Sequence, residues 1–187
     1  LDGARIFNAA AALGLPASEV VAPVDSIQFC FSKALAAPVG SIVVGSRDFI
    51  VRVRANRKMV GGAMRQAGVI AAAALVGLNE MIDRLPEDHR RARRLAEGLA
   101  QLPGVSVDLE TVQSNIVIFR PDPQRITVEE FIGGMAEGGV RVSNYGLRGL
   151  RLVTHYQITD EDVEKALTIA AGLMESRSVA AARTAVA

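Results

Sequence analysis

The chain has 187 residues, of which 50% are hydrophobic and 4% aromatic, and it carries a formal net charge of +1. This length allows one domain, or one and a half, with a core built mainly from alanine, valine, leucine and isoleucine. The nearly neutral charge gives no reason to expect a nucleic-acid or membrane partner, and no apolar run approaches the roughly 20 residues of a membrane span.

The first half of the chain alternates between segments typical of helices and of strands. The expected elements are a helix over 7–13, an extended piece at 20–21, strands over 25–31 and 40–44, a short helix over 48–55 and a long helix over 66–85. Gly3 permits a turn before the first helix, and Pro86 is expected to end the last one. This alternation predicts part of a parallel, doubly wound sheet.

The second half predicts a small α+β domain. Its expected elements are a helix over 87–102, strands over 105–109 and 115–119, a helix from 127, strands over 140–142 and 150–154, and a helix from 159. The segment Thr127–Glu130 is a capping box, the basic run at 89–94 is interpreted as a solvated helix face, and the tail after Arg177 is expected to be loose. We therefore divide the chain into residues 1–85, which include a linking helix, and residues 86–187.

Lys33 stands out because apolar segments lie on both sides of it, at 26–31 and at 42–44. Its ammonium group must reach solvent, be paired, or lose its charge. A lysine that loses its charge easily is a nucleophile and can form a Schiff base. The alternative is a lysine at the end of a strand whose ammonium group extends to water.

Cys30 lies in the apolar segment before Lys33 and is the only cysteine. A single cysteine excludes an internal disulfide and fits a reducing compartment, so a cytoplasmic location is expected. The residue is interpreted as a small member of the core.

Blocks of sequence in four places resemble the low-specificity L-threonine aldolases. They are Leu1–Asn8, which contains Asp-Gly-Ala-Arg, the Ser32–Lys33 turn, the glycine-containing segment Lys58–Gly68, and Leu150–His155. The resemblance covers nearly all of the chain. It implies a pyridoxal-phosphate (PLP) enzyme with the α/β fold of aspartate aminotransferase, in which residues 1–85 are the C-terminal part of the large cofactor-binding domain and residues 86–187 the small α+β domain. Members of this family have a long N-terminal half before the first block, so we interpret the sequence as the C-terminal portion of a larger protein.

The resemblance also implies roles for residues around the cofactor. Lys33 would hold PLP through a Schiff base, and Ser32 would present the lysine and help to bind the phosphate, although turn formation alone is an equal alternative for this serine. Asp2 would keep the pyridine nitrogen protonated. Its alternative is to cap the following helix, a position for which aspartate is well suited.

Three arginines complete the expected site. Arg5 would reach the cofactor's 3'-oxygen or the substrate carboxylate, and Arg65 a cofactor phosphate in the neighbouring subunit, with Arg57 and Lys58 as weaker competitors. Arg151 has the apolar neighbours Leu150, Leu152 and Val153, so its charge needs an anionic partner, and the resemblance implies that this partner is the substrate α-carboxylate. Arg148 is the alternative for this role, and His155 could support the site or be structural.

The implied reaction is retro-aldol cleavage of L-threonine or L-allo-threonine to glycine and an aldehyde, in a homo-oligomer with shared active sites and without a metal site. The alternatives are another PLP enzyme of the same fold, either a β-eliminating lyase or an aminotransferase, and a subunit that keeps the fold but performs no chemistry alone. The lysine, the aspartate and the carboxylate-binding arginine would serve each of the enzymes.

Overall fold

The computed structural model describes residues 1–184, which form two compact units divided between Pro86 and Glu87. The helices are α1 (Ile6–Leu13), α2 (Ala17–Val20), α3 (Arg47–Met59), α4 (Gly68–Glu80), α5 (Leu85–Ala100), α6 (Val128–Glu137) and α7 (Asp160–Thr184). The strands are β1 (Ser26–Cys30), β2 (Ser41–Gly45), β3 (Val105–Val107), β4 (Ile116–Pro121), β5 (Ser143–Asn144) and β6 (Leu150–Val153). Within residues 1–184, none of the helices combines the length and apolar character that crossing a membrane requires.

The strands of the first unit are not all parallel, contrary to the prediction. Strand β1 pairs with β2 in the antiparallel direction, with Ile27 opposite Val44. A parallel bridge joins Asp2 to Gln28 on the other side of β1. The connection between β1 and β2 is residues 31–40, and a parallel crossover needs about a dozen residues or more. The short connection therefore imposes the antiparallel pairing.

The boundaries of several helices differ from those expected. Residues 17–20 form helix α2 rather than an extended piece, and α3 continues to Met59. Helix α4 ends at Glu80, whereas Pro86 lies in the first turn of α5 and does not end a helix. Proline is tolerated in a first turn because its missing N–H group has no partner there. The same residue is therefore compatible with a helix end or a helix start.

The core of the first unit joins α4 to the turn that contains Lys33. Its buried members are Phe31, Leu35, Ala37 and Ala74. Gly77 allows the close approach, because a Cβ atom at this position would lie 2.6 Å from the carbonyl oxygen of Leu35. Any larger residue would push helix α4 away from the turn.

The second unit is a four-stranded antiparallel sheet with the order β3-β4-β6-β5. Side chains alternate across the strands, so Val117 and Phe119 of β4 and Leu150 and Leu152 of β6 enter the core. The apolar stripes of α5, α6 and α7 complete this core, which includes Ala92, Leu95, Ala96, Leu99, Phe131, Met135, Val163, Ala166, Leu167, Ala170 and Met174. The expected α+β arrangement is present, but the strand expected at 140–142 is replaced by β5 at 143–144.

A glycine of α6, Gly134, and the glycine that follows this helix, Gly138, explain how α7 packs on it. A Cβ atom at Gly134 would lie 2.4 Å from Leu173, and one at Gly138 would lie 2.5 Å from Ile169. The glycines are four residues apart and therefore share one helix face. They leave a groove that receives the side chains of α7.

The ends of helices α6 and α7 test two local predictions. The capping box of α6 is confirmed, since the Thr127 hydroxyl accepts a hydrogen bond from the Glu130 N–H and the Glu130 carboxylate accepts one from the Thr127 N–H. Helix α7 continues beyond Arg177 to Thr184, where the sequence was expected to be loose. The alanines of this segment favour a helical backbone. Residues 185–187 lie outside the described residues.

The basic run of α5 makes ion pairs with α7 as well as facing water. Arg90 Nη2 lies 2.8 Å from a carboxylate oxygen of Asp160, and Arg94 Nη2 lies 2.7 Å from one of Glu164. Arg90 and Arg94 are exposed, whereas Arg91 is half-buried. Exposed pairs of this kind contribute little to the free energy of unfolding, because solvent screens them. They favour one alignment of the two helices more than they stabilise the fold.

Candidate active site

The parallel bridge between Asp2 and Gln28 brings three of the expected site residues to one edge of the sheet. After Asp2 the chain turns through Gly3 and Ala4 into α1, with Arg5 at the start of that helix. After β1 the chain enters the turn that carries Lys33. Because the two segments run parallel, both leave the sheet at the same edge, and ligands of α/β sheets bind at the carboxyl ends of strands.

The position of Asp2 excludes the helix-capping alternative. The residue before the first turn of α1 is Arg5, and it makes no side-chain capping bond. The Asp2 carboxylate instead accepts a hydrogen bond from Gln28 Nε2. Backbone bonds hold the two residues side by side, at 2.9 Å from Gly3 N–H to Gln28 O and 3.1 Å from Gln28 N–H to Leu1 O. The carboxylate is thus oriented by a neighbouring strand.

Gln28 is a residue that the sequence reasoning missed. It is a polar residue of β1 that lies between the apolar Ile27 and Phe29, and this was the available signal. Its importance depends on its being opposite Asp2, and those two residues are 26 positions apart in the sequence. A pairing over that separation cannot be derived from local pattern.

Lys33 lies on a turn whose backbone is hydrogen-bonded at several points. Phe31 N–H donates to Gly40 O at 2.9 Å, Ala37 N–H donates to Phe31 O at 3.0 Å, and Ala36 N–H donates to Lys33 O at 3.0 Å. Lys33 itself is exposed within this unit, although its turn is anchored by the buried Leu35. The structure thus combines a fixed backbone with an accessible amine.

The same turn contains a strained residue. Ala36 has a φ of +57°, in the left-handed region that side chains other than glycine adopt at a cost. It is the one non-glycine residue with positive φ in the described part of the chain. Strain of this kind persists where the surrounding structure enforces it, and here it lies three residues from the candidate nucleophile.

The remaining expected cofactor ligands differ in their exposure to solvent. Ser32 is exposed beside Lys33, and Arg5 is half-buried where α1 begins. Arg65 is exposed in the turn before α4, and none of the hydrogen bonds or ion pairs found within residues 1–184 joins it to Asp2 or Lys33. The contacts within the first unit therefore give no support for a role of Arg65 at this site.

Arg151 lies in the second unit, on the face of the sheet opposite its core. Leu150 and Leu152 point into the core, so Arg151 shares its face with Val153 and with Ile118, its partner on β4. Alternate side chains of a strand point to opposite faces, so Leu150 and Leu152 do not lie beside the arginine. Only Val153, of the three apolar neighbours in sequence, shares its face.

The arginine nevertheless has an unsatisfied donor. Its Nε atom is buried and has no hydrogen-bond partner in the described residues. The guanidinium carbon of Arg151 lies 5.0 Å from the centre of the Tyr145 ring, and that of Arg148 lies 5.5 Å from the same ring. The two candidates for carboxylate binding thus contact one aromatic side chain.

His155 is placed after β6 and has a local partner. Its Nδ1 atom accepts a hydrogen bond from the Gln157 N–H at 3.3 Å, and its ring lies 6.2 Å from that of Tyr156. With Arg141 and Lys165, it lines a cavity of about 350 Å³ in the second unit. The hydrogen bond supports the structural alternative for this histidine.

The architecture is that of an α/β enzyme fold found in solved structures of PLP enzymes and their relatives. A protein of Listeria monocytogenes EGD-E, provisionally assigned as an L-allo-threonine aldolase, superposes with a TM-score of 0.74 at 21% identity, over 92% of this chain and 51% of that one. Serine palmitoyltransferase from S. paucimobilis, solved with bound PLP, superposes with a TM-score of 0.66 at 22% identity, over 86% and 41%. At these identities the likeness shows the fold, and the predicted fold class is confirmed.

The sequence model of the beta-eliminating lyase family matches residues 1–122, and the chain belongs to that family. Low-specificity L-threonine aldolase 1 of Arabidopsis thaliana is 44% identical over 169 residues, which are 90% of this chain and 47% of that protein. The predicted resemblance to this group is confirmed. The chain spans about half the length of the curated relatives that it matches.

Proposed function

We propose that the protein is a PLP-dependent aldehyde-lyase that cleaves L-threonine and L-allo-threonine to glycine and acetaldehyde. The observation that carries the proposal is the parallel bridge between Asp2 and Gln28, because the segment that leads to Arg5 and the segment that leads to Lys33 then run side by side in the same direction. The 44% identity to an Arabidopsis low-specificity L-threonine aldolase supports this choice among the reactions of the family.

The chemistry of these side chains fits the cofactor. An exposed lysine amine on a fixed turn can bond to an aldehyde carbon, and a carboxylate accepts a hydrogen bond from a pyridinium N–H and so keeps that nitrogen protonated. A guanidinium group binds phenolate, carboxylate or phosphate oxygens. When bound, PLP supplies an electron sink for the electron pair that is released as the Cα–Cβ bond breaks.

The residues of the first unit would act on this site in distinct ways. Lys33 holds the cofactor covalently through its amine, and Ser32 contributes to binding the phosphate. Asp2 holds a proton at the pyridine nitrogen, and the hydrogen bond from Gln28 fixes the direction of its carboxylate. Arg5 binds the 3'-oxygen or the substrate carboxylate. In this reading residues 1–85 are the C-terminal part of the cofactor-binding domain.

The remaining assignments concern the substrate and the assembly. Arg151 binds the substrate α-carboxylate, which its buried and unpartnered Nε atom supports. Arg65, exposed before α4, binds the phosphate of a cofactor in a neighbouring subunit, so the active protein is a homo-oligomer. Residues 86–187 form the small domain, and the single cysteine supports a cytoplasmic location.

The test uses the natural protein, loaded with PLP and supplied with L-threonine. We expect equal amounts of glycine and acetaldehyde, and Lys33→Ala should abolish both the products and the visible absorbance of bound cofactor. Borohydride reduction followed by peptide mapping should label Lys33. Lys58→Ala, which removes the same charge from an exposed lysine, is the matched control and should keep the label on Lys33. A label on Lys58 or Lys165 would show that the assignment is wrong.

A second candidate reaction is β-elimination, which the description of the matching family favours. It would expel the β-substituent of a β-substituted amino acid, and hydrolysis with one water would then release ammonia and a keto acid. Because the same lysine, aspartate and arginine would serve it, the two reactions are distinguished by their products. Ammonia without acetaldehyde would replace the aldolase proposal with this one.

A further inference from the structure

The turn between β5 and β6 holds Tyr145 in a fixed place. The Tyr145 N–H donates to Gly149 O at 2.8 Å, and Asn144 Oδ1 accepts a hydrogen bond from the Gly146 N–H at 2.9 Å. Gly149 has a φ of +108°, and a Cβ atom there would lie 2.6 Å from the carbonyl oxygen of Phe119. These constraints leave the backbone of the turn little freedom, so the point from which the tyrosine side chain extends is fixed.

One tyrosine ring contacts two cations. The guanidinium carbon of Arg151 lies 5.0 Å from the ring centre and that of Arg148 lies 5.5 Å away, both within the range of cation–π attraction. Two guanidinium groups that contact one ring carry like charges that repel, and the negative face of the ring offsets part of this repulsion. Neither arginine forms an ion pair within the part of the chain that the structure describes.

An aromatic partner leaves the hydrogen-bonding capacity of an arginine available. A carboxylate partner would occupy the N–H fork, whereas a ring contacts the flat face of the guanidinium group and leaves its edge free. The edge of Arg151 is in fact unused, since its Nε atom is buried without a hydrogen-bond partner among the described residues. Arg151 therefore has an N–H donor available to bind an anion.

We infer that Tyr145 is a positioning residue, which orients Arg151, and Arg148 beside it, so that their N–H edges bind one carboxylate group. The inference rests on the proposed function, in which that carboxylate belongs to the amino-acid substrate, and it adds a residue to which neither the sequence motifs nor the family resemblance assigned a role. It predicts that the ring, and not the hydroxyl group, is required.

The first measurement follows the arginine Nε–H signals of the natural protein by ¹H–¹⁵N NMR in the absence of cofactor. Arg151→Lys identifies the signal of Arg151 by removing it. The ring current of Tyr145 should shift this signal in the wild type and in Tyr145→Phe, and the shift should disappear in Tyr145→Leu and Tyr145→Gln. Two variants without a ring are used so that the result does not depend on the folding of one of them.

The second measurement titrates acetate, a simple carboxylate, against the same signals. Acetate should bind the wild type and Tyr145→Phe equally and Tyr145→Leu about three- to tenfold more weakly, which is the range expected for loss of a cation–π contact. In turnover, Tyr145→Leu should raise KM for L-threonine by a similar factor and change kcat less than about twofold. Tyr156→Leu is the matched control, because Tyr156 is similarly exposed but contacts His155.

The outcomes separate this inference from the proposed function. Unchanged acetate affinity in Tyr145→Leu, or an equal loss in Tyr145→Phe, would overturn the role of the ring. Acetate binding that depends on the ring, in a protein that does not cleave L-threonine, would overturn the aldolase proposal and leave the positioning role intact. Cleavage with an unchanged KM in Tyr145→Leu would overturn the positioning role alone.

Discussion

Replacing Gly77 with alanine should disturb the turn that carries Lys33. Gly77 is buried on α4, and a Cβ atom there would lie 2.6 Å from the carbonyl oxygen and 3.3 Å from the Cβ atom of Leu35. Leu35 is 2% exposed and follows Lys33 by two residues. Because the nearest atom belongs to the backbone, a side-chain rotation cannot relieve the contact, and α4 and the turn must separate.

Two opposing effects set the size of the change. Inserting a methyl group into a packed core costs about 1–3 kcal/mol, and a backbone contact in a buried turn favours the upper half of that range. Alanine is better than glycine in a helix by about 0.8–1.0 kcal/mol. The net expectation for Gly77→Ala is a decrease of about 1–2 kcal/mol in the free energy of unfolding.

Gly68→Ala is the matched control. Gly68 begins the same helix, and no atom lies within 4 Å of the position of its Cβ atom. This variant should be neutral or more stable by up to about 1 kcal/mol, since only helix propensity changes. The difference between the two variants then measures the steric contact alone.

The assay is urea unfolding followed by circular dichroism, together with the dissociation constant for PLP. Gly77→Ala should lower the unfolding midpoint and weaken PLP capture, because the turn that moves is the one that presents Lys33. Equal stability of Gly77→Ala and Gly68→Ala would refute the packing of α4 on that turn. Unchanged PLP affinity in a destabilised Gly77→Ala would refute the link between the packing and the lysine.

Three further predictions concern single residues. Asp2→Asn should retain PLP but slow the cleavage of L-threonine by orders of magnitude, because an amide does not hold the pyridine proton; near-normal turnover in steady-state kinetics would contradict the role of Asp2. Ala36→Gly should raise the free energy of unfolding in urea by about 1 kcal/mol, because glycine adopts a positive φ without strain. A less stable variant would mean that the strain is not present. Burial lowers the pKa of His89 below 6.5, so the unfolded chain binds more protons than the folded one as the pH falls through 6.5. Stability should therefore decrease from pH 7.5 to 5.5. The unfolding temperature of His89→Gln should depend less on pH than that of the wild type. An equally steep dependence would assign the effect to other groups.

Features that depend on a few neighbouring residues could be predicted from the sequence. The capping box at Thr127 and Glu130 needs only residues three apart, and it formed as expected. The strand before Lys33 and the apolar stripes of α5 and α7 also follow from short periodic patterns. Pro86 shows the limit of such patterns, since proline suits the position after a helix and the first turn of one equally well.

Features that depend on contacts between distant segments were decided by the tertiary structure. The partner of Asp2 is Gln28 and not the helix that follows it, because strand pairing places the two side by side. The glycines at 77, 134 and 138 each allow a close approach by another element, which residue type alone does not indicate. Arg151 and Tyr145 meet across a turn whose geometry depends on Phe119 of another strand.

The sequence by itself therefore determined the family, the fold class and the identity of the candidate lysine, since these depend on residue type and short spacing. The tertiary structure decided which polar groups face each other and which glycines are required. The physical reason is that a hydrogen bond or a steric contact acts over a few ångströms in space, whatever the separation along the chain. Gln28 and Tyr145 acquire their importance only through the side chains that folding brings next to them.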